Sequence, residues 1–399
     1  MINPEIKFDL QIKYGSEYSA EEEKAAIAVL REGAPTSGIH CKQFEEEFAR
    51  YCGSRYARVT TNGTAAIFLA LLAAGIGKGN KVITSPLTWI ATAAAVETLG
   101  AKVEFVDIDG DTYNIDPAKI EEKITQDTKA IIPVHLFGQC CDMDPIIELS
   151  EKHGLHIIED ACHAIGAEYR GRKAGSMGLA GCFSFHEQKN ISTLGEGGMV
   201  VTNDSALYER FSLYRSHCTR VYGESTKYCR LDESKYPMGK RFWYQEFDDV
   251  GYNFRMTDIQ AAVGSVQLKK LDEFNKRRIK NASYLMAGLR NIPGLTLPTI
   301  MEPNTHVFHL LPVLIDKEEY GMCKDDFIYR MLYDRGVKVG IHYIPLHFSR
   351  AFKQRGFHEG QFPVTEAVSE KLVTLPINPR QTPLALDYLI ESIQVLSRK

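Results

Sequence analysis

The sequence predicts an α/β fold in two packed domains, and three observations support that prediction. Short runs of β-branched and apolar residues alternate with helical patterns between residues 81 and 202. This alternation is typical of a mostly parallel sheet covered by helices. One long helical pattern follows over residues 257–289. Pro293, Gly294 and Pro298 then interrupt the pattern before a smaller α+β unit.

Size and charge narrow the class of protein. A chain of 399 residues and 44.9 kDa can bury a large core and fits two domains better than one. Lys and Arg total 47 against 51 Asp and Glu, a formal net charge of -4, and no long block of one sign occurs. We therefore expect no nucleic-acid partner.

The cysteines and the apolar runs predict a reduced protein without metal. None of the nine cysteines forms a C-x-x-C pair, and the adjacent Cys140 and Cys141 have no second pair at zinc-binding spacing. Residues 1–14 are polar, and no apolar run reaches the length of a membrane span. We expect a cytoplasmic protein that has no membrane partner.

The first helix is predicted over residues 20–32. Ser19 precedes it and Glu22 completes a capping box, while Gly33 ends it. The six short runs predict strands at residues 81–84, 103–107, 130–135, 156–160, 182–185 and 198–202.

A buried helix is predicted over residues 65–74, which are rich in Ala and Leu. Asn62, Gly63 and Thr64 come just before it. A helix N-terminus presents free N–H groups and positive potential, and Gly63 allows a phosphate to approach closely. Taken alone, the motif is more often an ordinary N-cap without a ligand.

Lys189 is the candidate nucleophile, because it falls on a polar connection between two buried strands, residues 182–185 and 198–202. Such an amine must spend time unprotonated, so its pKa must fall. A lone lysine is more often simply solvated. Asp160 ends the strand 156–160 at the carboxyl edge of the sheet, where ligands of open α/β sheets bind. Trp89 follows another strand and could stack on a ring or fill the core.

The last third of the chain is predicted to form the smaller unit. Strands are expected at residues 306–315 and 337–342, and helices at 326–335 and 384–398. The basic residues at 269–270 and 276–278 are interpreted as the exposed face of the long helix. The polar segment 217–248 fits a rim of the substrate site, a disordered insertion or a dimer contact equally well. Three parts result: residues 1–256, 257–292 and 293–399.

Several ordered motifs resemble those of the DegT/DnrJ/EryC1/StrS family of sugar aminotransferases, and they extend over nearly the whole chain. The stretch 182–204 around Lys189 is one of them. Others are residues 61–66 (TNGTAA), 86–91 (PLTWIA), 133–138 (PVHLFG), 159–166 (EDACHAIG), 251–262 (GYNFRMTDIQAA) and 341–347 (IHYIPLH). The resemblance implies the aspartate aminotransferase fold, with a seven-stranded, mostly parallel sheet in a large domain and a smaller C-terminal α+β domain.

The resemblance also implies pyridoxal 5'-phosphate as cofactor and assigns residues to it. Lys189 would hold the cofactor as an internal aldimine and move protons, and Asp160 would face the pyridine nitrogen. Trp89 would stack on the ring and His163 would contact it near the phenolic oxygen. The phosphate would be held by Asn62, Gly63, Thr64, Ser184 and, from the neighbouring subunit, Asn253. The active unit would therefore be a homodimer with shared sites.

The implied reaction is a ping-pong transamination from L-glutamate to a keto sugar, most simply a nucleotide-linked 3- or 4-keto-6-deoxyhexose. A cyclitol ketone or a sugar without a nucleotide is the alternative acceptor. A cofactor-binding regulator without turnover is a rival of another class. Substrate contacts are expected from His186, Tyr343, His347 and residue 37, a serine in the loop 34–38. Some family members have histidine in place of the lysine and dehydrate a sugar, and Lys189 argues against that activity.

Overall fold

The structure is a computed structural model that describes residues 15–33, 35–220, 234–235 and 246–397. Its α-helices, in chain order, are α1 (Ala20–Arg31), α2 (Ile39–Cys52), α3 (Gly63–Ala73), α4 (Ala91–Thr98), α5 (Met143–His153), α6 (Ser205–Arg215), α7 (Asp258–Leu289), α8 (Lys317–Tyr320), α9 (Lys324–Tyr333), α10 (Arg350–Lys353), α11 (Pro363–Lys371) and α12 (Pro383–Ser397). Its strands are β1 (Tyr56–Thr60), β2 (Lys81–Thr84), β3 (Lys102–Phe105), β4 (Thr128–Ile131), β5 (His156–Asp160), β6 (Glu168–Tyr169), β7 (Arg172–Lys173), β8 (Ala180–Ser184), β9 (Gly198–Thr202), β10 (Thr219–Arg220), β11 (Glu246–Phe247), β12 (Leu295–Thr296), β13 (Leu311–Ile315) and β14 (Leu372–Leu375).

A seven-stranded sheet with the order β1-β9-β8-β5-β4-β2-β3 forms the centre of the molecule. From β8 to β3 every neighbour pairs in parallel, whereas β9 runs antiparallel to both β8 and β1. The reversal arises because the connection from β8 to β9 contains no crossover helix, which a parallel pair requires. The predicted α/β fold with a mostly parallel seven-stranded sheet is confirmed.

The predicted strands agree with the structure best where no proline intervenes. The bounds of β2, β5 and β9 are those predicted. The strand predicted over residues 130–135 instead ends at Ile131, because Pro133 has no N–H with which to continue the ladder. Beyond it, Val134 makes only an isolated bridge to Asp160.

Helices cover both faces of the sheet. Phe44 and Phe48 of α2 pack with Phe274 of α7 in the buried core on one face. On the other face, Ile67 of α3 and Phe211 of α6 belong to a second buried core. Side chains on both faces of the central strands are thus removed from water, which explains why those strands are continuous apolar runs in the sequence.

The long helix α7 begins with a capping box formed by Thr257 and Gln260. Its C-terminal half packs against the small antiparallel sheet β12-β13-β14 and helices α9 and α12 around a third core. The strand predicted over residues 337–342 is wrong, since only Gly340 makes an isolated bridge, to Thr374. The division into parts ending at residues 256 and 292 stays a prediction.

Arg278 corrects the interpretation of the basic cluster on α7. Its side chain is fully buried, not exposed. Its guanidinium donates to the carbonyl oxygens of Gly15, Phe308, His309 and Ile377. Burial lowers the pKa of Arg278 to about 9.

Most of the polar segment 217–248 lies outside the described residues. Of this segment the structure describes residues 217–220, 234–235 and 246–248, where β10 pairs antiparallel with β11. The three interpretations of the segment therefore stay open. Among the described residues, no helix is long and apolar enough to cross a membrane.

Candidate active site

A cavity of about 440 Å³ lies at the carboxyl edge of the central sheet. The ends of β5 and β8, the N-terminus of α3, the Lys189 loop and residues 341–343 form its walls. Parallel strands leave such a crevice where their connections part. The cavity brings together most of the residues that the sequence singled out.

The N-terminus of α3 opens into this cavity. The side chain of Asn62 accepts a hydrogen bond from Ala65 N at 2.9 Å, so Asn62 is an N-cap, as the simpler interpretation of the motif expects. The N–H groups of Gly63 and Thr64 precede the first intrahelical bonds and have no partner within the helix. They are the donors that an anion at this end would meet.

Gly63 has no room for a side chain. A Cβ atom there would lie 2.8 Å from Cβ of Ser184 and 3.0 Å from Sγ of Cys162. Ser184 ends β8 beside this helix terminus and is largely buried. The close approach of α3 to β8 therefore puts a hydroxyl group beside two backbone N–H groups at the positive end of a helix.

Asp160 ends β5 and is 5% exposed. Its Oδ2 accepts a hydrogen bond from Thr92 Oγ1 at 2.7 Å, and its Oδ1 accepts one from Cys162 N at 3.2 Å. Within the described residues, no Lys or Arg forms an ion pair with it. A buried carboxylate with only neutral donors is a site at which a cationic ligand group is stabilised.

Lys189 stands on the connection between β8 and β9, as predicted. Its own N–H donates to His186 O. Two residues earlier, Glu187 accepts a hydrogen bond from Gly15 N at its carbonyl oxygen and donates its N–H to Gly195 O. The loop is therefore held from both sides. Burial lowers the pKa of Lys189, although the negative charge of Asp160 opposes the shift. A larger fraction of the amine is thus neutral and nucleophilic than in an exposed lysine.

Trp89 and Tyr343 form an aromatic wall of the cavity. Trp89 is 60% exposed, so it is not a core residue. The ring centroids of the two residues are 5.7 Å apart at 47°. An exposed indole beside a cavity offers a flat face to a planar ligand.

His163 is buried and contacts Tyr343, whose hydroxyl lies 3.1 Å from Nε2 of His163. Behind it, the ring centroid of His309 lies 4.3 Å away. Burial, and then the charge of Lys189, holds the pKa of His163 well below its usual value. The imidazole facing the cavity is therefore neutral near pH 7.

His186 and Glu196 flank Lys189 at the mouth of the cavity. Their side chains approach to 4.0 Å, between Nε2 of His186 and Oε1 of Glu196. The sequence predicted His186 as a substrate contact but did not identify Glu196, although it lies in the same motif. Thr92 and His309 were also missed. A threonine in a helical pattern and a histidine in an apolar run carry no distinctive signal.

Three predicted residues are not brought to the cavity. His347 is fully buried and pairs with Glu366, 3.1 Å from Nε2 to Oε1, so it is unavailable to a substrate in this arrangement. Ser37 donates its N–H to Met256 O beside the start of α7. Asn253 is exposed and bridges Ser216. Of these three residues, Asn253 is the one that is exposed.

The family model described as the DegT/DnrJ/EryC1/StrS aminotransferase family matches residues 16–394. The chain belongs to this family. It is 37% identical to the spore coat polysaccharide biosynthesis protein SpsC of Bacillus subtilis over 375 residues, 94% of each chain.

Solved structures agree with this membership of the aminotransferase family. DesV of S. venezuelae, solved in complex with a ketimine intermediate, superposes with a TM-score of 0.85 and 34% identity over 95% of each chain. PseC of Helicobacter pylori, an aminotransferase involved in the biosynthesis of pseudoaminic acid, gives 0.86 and 29%, over 97% of this chain and 98% of that one. Members of the family are sugar aminotransferases, and this chain is a PLP-dependent enzyme of that kind.

The cavity of this aminotransferase fits pyridoxal 5'-phosphate on its own features. The buried carboxylate of Asp160 has no cationic partner among the described residues, and a pyridinium N–H would supply one. The close packing of Gly63 against Ser184 puts the N–H groups at the N-terminus of α3 beside a hydroxyl, a set of donors suited to a phosphate. Lys189 supplies the amine.

Proposed function

We propose that this aminotransferase moves an amino group from L-glutamate to a nucleotide-linked 3- or 4-keto-6-deoxyhexose. One observation carries the proposal: a lysine with a lowered pKa lines the same cavity as the buried Asp160 carboxylate and the N-terminus of α3. The donor and the nucleotide are inferred from the family resemblance, and each is tested separately.

The residues divide the work as follows. When bound, pyridoxal 5'-phosphate supplies the electron sink that makes the α-proton of an amine acidic. The N–H groups of Gly63 and Thr64 and the Ser184 hydroxyl would hold the phosphate, and Asp160 would keep the ring nitrogen protonated. Trp89 would cover one face of the ring. Lys189 would carry the cofactor and then, as a free amine, would take the proton from the α-carbon of the donor.

His163 has a second task in this scheme. Its neutral ring lies 3.1 Å, at Nε2, from the hydroxyl of Tyr343 and would contact the cofactor ring near the phenolic oxygen. A neutral imidazole can accept or donate one hydrogen bond there without adding a positive charge beside Lys189. Tyr343 would thereby couple substrate contacts at the mouth to the orientation of His163.

A homodimer with shared sites is part of the proposal. Asn253 is exposed, and Val250 beside it is 82% exposed. Leu194 and Ile344, close in sequence to cavity residues, are also large exposed apolar side chains. Apolar groups concentrated near a ligand site favour burial by a second subunit.

The donor half-reaction can be tested without knowing the sugar. Protein loaded with pyridoxal 5'-phosphate should show a visible absorbance band that L-glutamate alone converts to a near-ultraviolet band. A visible band that persists with L-glutamate and disappears with another amino acid would replace the proposed donor.

Lys189→Ala should lose the visible band, and turnover should fall by at least about 10²-fold, because the amine that moves the proton is gone. Lys269→Ala, which removes an exposed lysine on α7, is the matched control and should leave both unchanged. Near-normal amination by Lys189→Ala would refute the assignment of Lys189.

Turnover of paired ketones tests which acceptor the enzyme uses. Each keto sugar is offered with and without its nucleotide, and a set of cyclitol ketones is added. We expect turnover to require the nucleotide. Equal turnover of nucleotide-free ketones would favour the alternative acceptor class instead.

A further inference from the structure

Asp160 is held by a chain of hydroxyl groups that begins near the N-terminus of α4. Thr92 Oγ1 lies 2.7 Å from Oδ2 of Asp160, and Thr88 Oγ1 lies 3.2 Å from Thr92 Oγ1. Exposure of Thr88, Thr92 and Asp160 is 2%, 1% and 5%. Water therefore does not compete with these hydrogen bonds.

The chain has a direction. The carboxylate can only accept, so the proton of Thr92 points to Asp160, and the Thr92 oxygen must accept the proton of Thr88. A helical threonine commonly bonds a carbonyl group one turn earlier in its own helix. Thr92 instead directs its hydroxyl out of α4 to the end of β5.

The other hydrogen bond fixes the second carboxylate oxygen. Cys162 N donates to Oδ1 at 3.2 Å. With one donor on each oxygen, the plane of the carboxylate is set before any ligand arrives. Each oxygen keeps a further lone pair, and both Asp160 and Thr92 line the cavity.

We propose that Thr92 is a positioning residue: its hydroxyl orients the Asp160 carboxylate toward the ring nitrogen of the cofactor, and Thr88 orients Thr92. This inference rests on the proposed function, because it requires Asp160 to pair with that nitrogen. Pre-orientation matters here since a charged hydrogen bond weakens when its acceptor must first rotate into place.

The test compares Thr92→Val with Thr92→Ser in cofactor binding to the apo-protein. Valine keeps the volume of threonine and removes the hydroxyl, whereas serine keeps the hydroxyl. We expect Thr92→Val to bind pyridoxal 5'-phosphate about tenfold more weakly, from the loss of a hydrogen bond to a charged group, and Thr92→Ser to bind nearly as wild type.

A cofactor analogue with carbon in place of the ring nitrogen separates positioning from other effects. The analogue cannot pair with Asp160, so Thr92→Val and wild type should bind it with equal affinity. An equal loss for cofactor and analogue would overturn the inference, because Thr92 would then act by direct contact or by packing.

Two controls complete the design. Thr202→Val removes a buried hydroxyl that donates to Leu179 O at the far end of β9, and should not change cofactor affinity. Thermal unfolding of each apo-protein reports any general loss of stability.

Wild type that fails to bind the cofactor would defeat the proposed function. Wild type that binds it with the same affinity as Thr92→Val would defeat only the role of Thr92.

Discussion

Burial keeps uncharged two imidazoles that line the cavity, His163 and His342, and the imidazole of His309 behind His163. The pKa values of His163 and His309 lie well below the usual value, from burial first and then from positive neighbours. Burial lowers the pKa of His342 to about 4. It lowers the pKa of His306, three residues before His309, to about 3. Because these imidazoles are neutral, burial and not a neighbouring cation lowers the pKa of Lys189.

These histidines predict a loss of stability in mild acid. Unfolding returns each imidazole to a pKa near 6.5, so below that pH the unfolded chain binds protons that the folded chain does not. The free energy of unfolding should therefore fall by about 1.4 kcal/mol per histidine per pH unit, for His342 down to its folded pKa of about 4.

Urea unfolding of the apo-protein at pH 7, 6 and 5 measures this fall. His342→Asn should reduce the difference between pH 7 and pH 5 by about 2 kcal/mol. His358→Asn, at an exposed position, is the control and should leave it unchanged. An identical pH dependence in both variants would contradict the role of His342.

At the residue scale, the sequence identified the residues that carry the chemistry better than the residues that position them. Lys189 and Asp160 could be predicted because each stands at the end of a recognisable strand within a distinctive motif. Thr92 and His309 could not, because their importance lies in which distant atoms they contact. His347 shows the converse, since a residue in a matching motif is buried against Glu366.

At the scale of elements, α11 is docked through a single carboxylate. Asp107, just after β3, accepts hydrogen bonds from Val364 N, Thr365 N and Thr365 Oγ1 at 3.0, 2.8 and 2.7 Å. These N–H groups belong to the first turn of α11, where helix donors lack partners. Burial alone would raise the pKa of Asp107, but the hydrogen bonds from Thr365 and Val364 outweigh it and lower the pKa.

Asp107→Ala should lower the free energy of unfolding by at least about 2 kcal/mol, because three donors lose a charged acceptor. Urea unfolding at pH 7 measures the loss. Asp111→Ala, at an exposed position four residues on, is the matched control and should change little. Equal stabilities of the two variants would show that α11 is docked by its apolar face alone.

Element predictions failed where tertiary contacts replaced local preference. The β-branched run at 337–342 predicted a strand, yet its backbone leaves the small sheet and delivers His342 and Tyr343 to the cavity. Similarly, no periodicity in the sequence indicates that β9 reverses direction. That reversal depends on the connection that carries Lys189, which must turn back at the sheet edge and cannot form a crossover helix.

At the scale of the whole molecule, the shared-site dimer gives a prediction that a monomer cannot meet. Co-expressed Lys189→Ala and Asn253→Ala chains should form mixed dimers. In a mixed dimer, one site has both defects and the other has neither, since Asn253 would come from the neighbouring subunit.

Random pairing makes half of the dimers mixed, so activity should recover to about one quarter of wild type. Each variant expressed alone should be strongly impaired, and sedimentation should give a dimer. Co-expressed chains no more active than the mean of the two variants would remove Asn253 from the site, as would a fully active monomer.

The hydrogen bonds of Arg278 determine when, during synthesis, the fold of the enzyme can be completed. Gly15, which packs against the backbone of Lys189, is made long before Ile377, yet the guanidinium that holds it also needs Ile377 O. The full set of bonds cannot form until residue 377 has left the ribosome. We therefore expect released chains that end between residues 344 and 376 to capture cofactor poorly, although they contain every residue that lines the cavity.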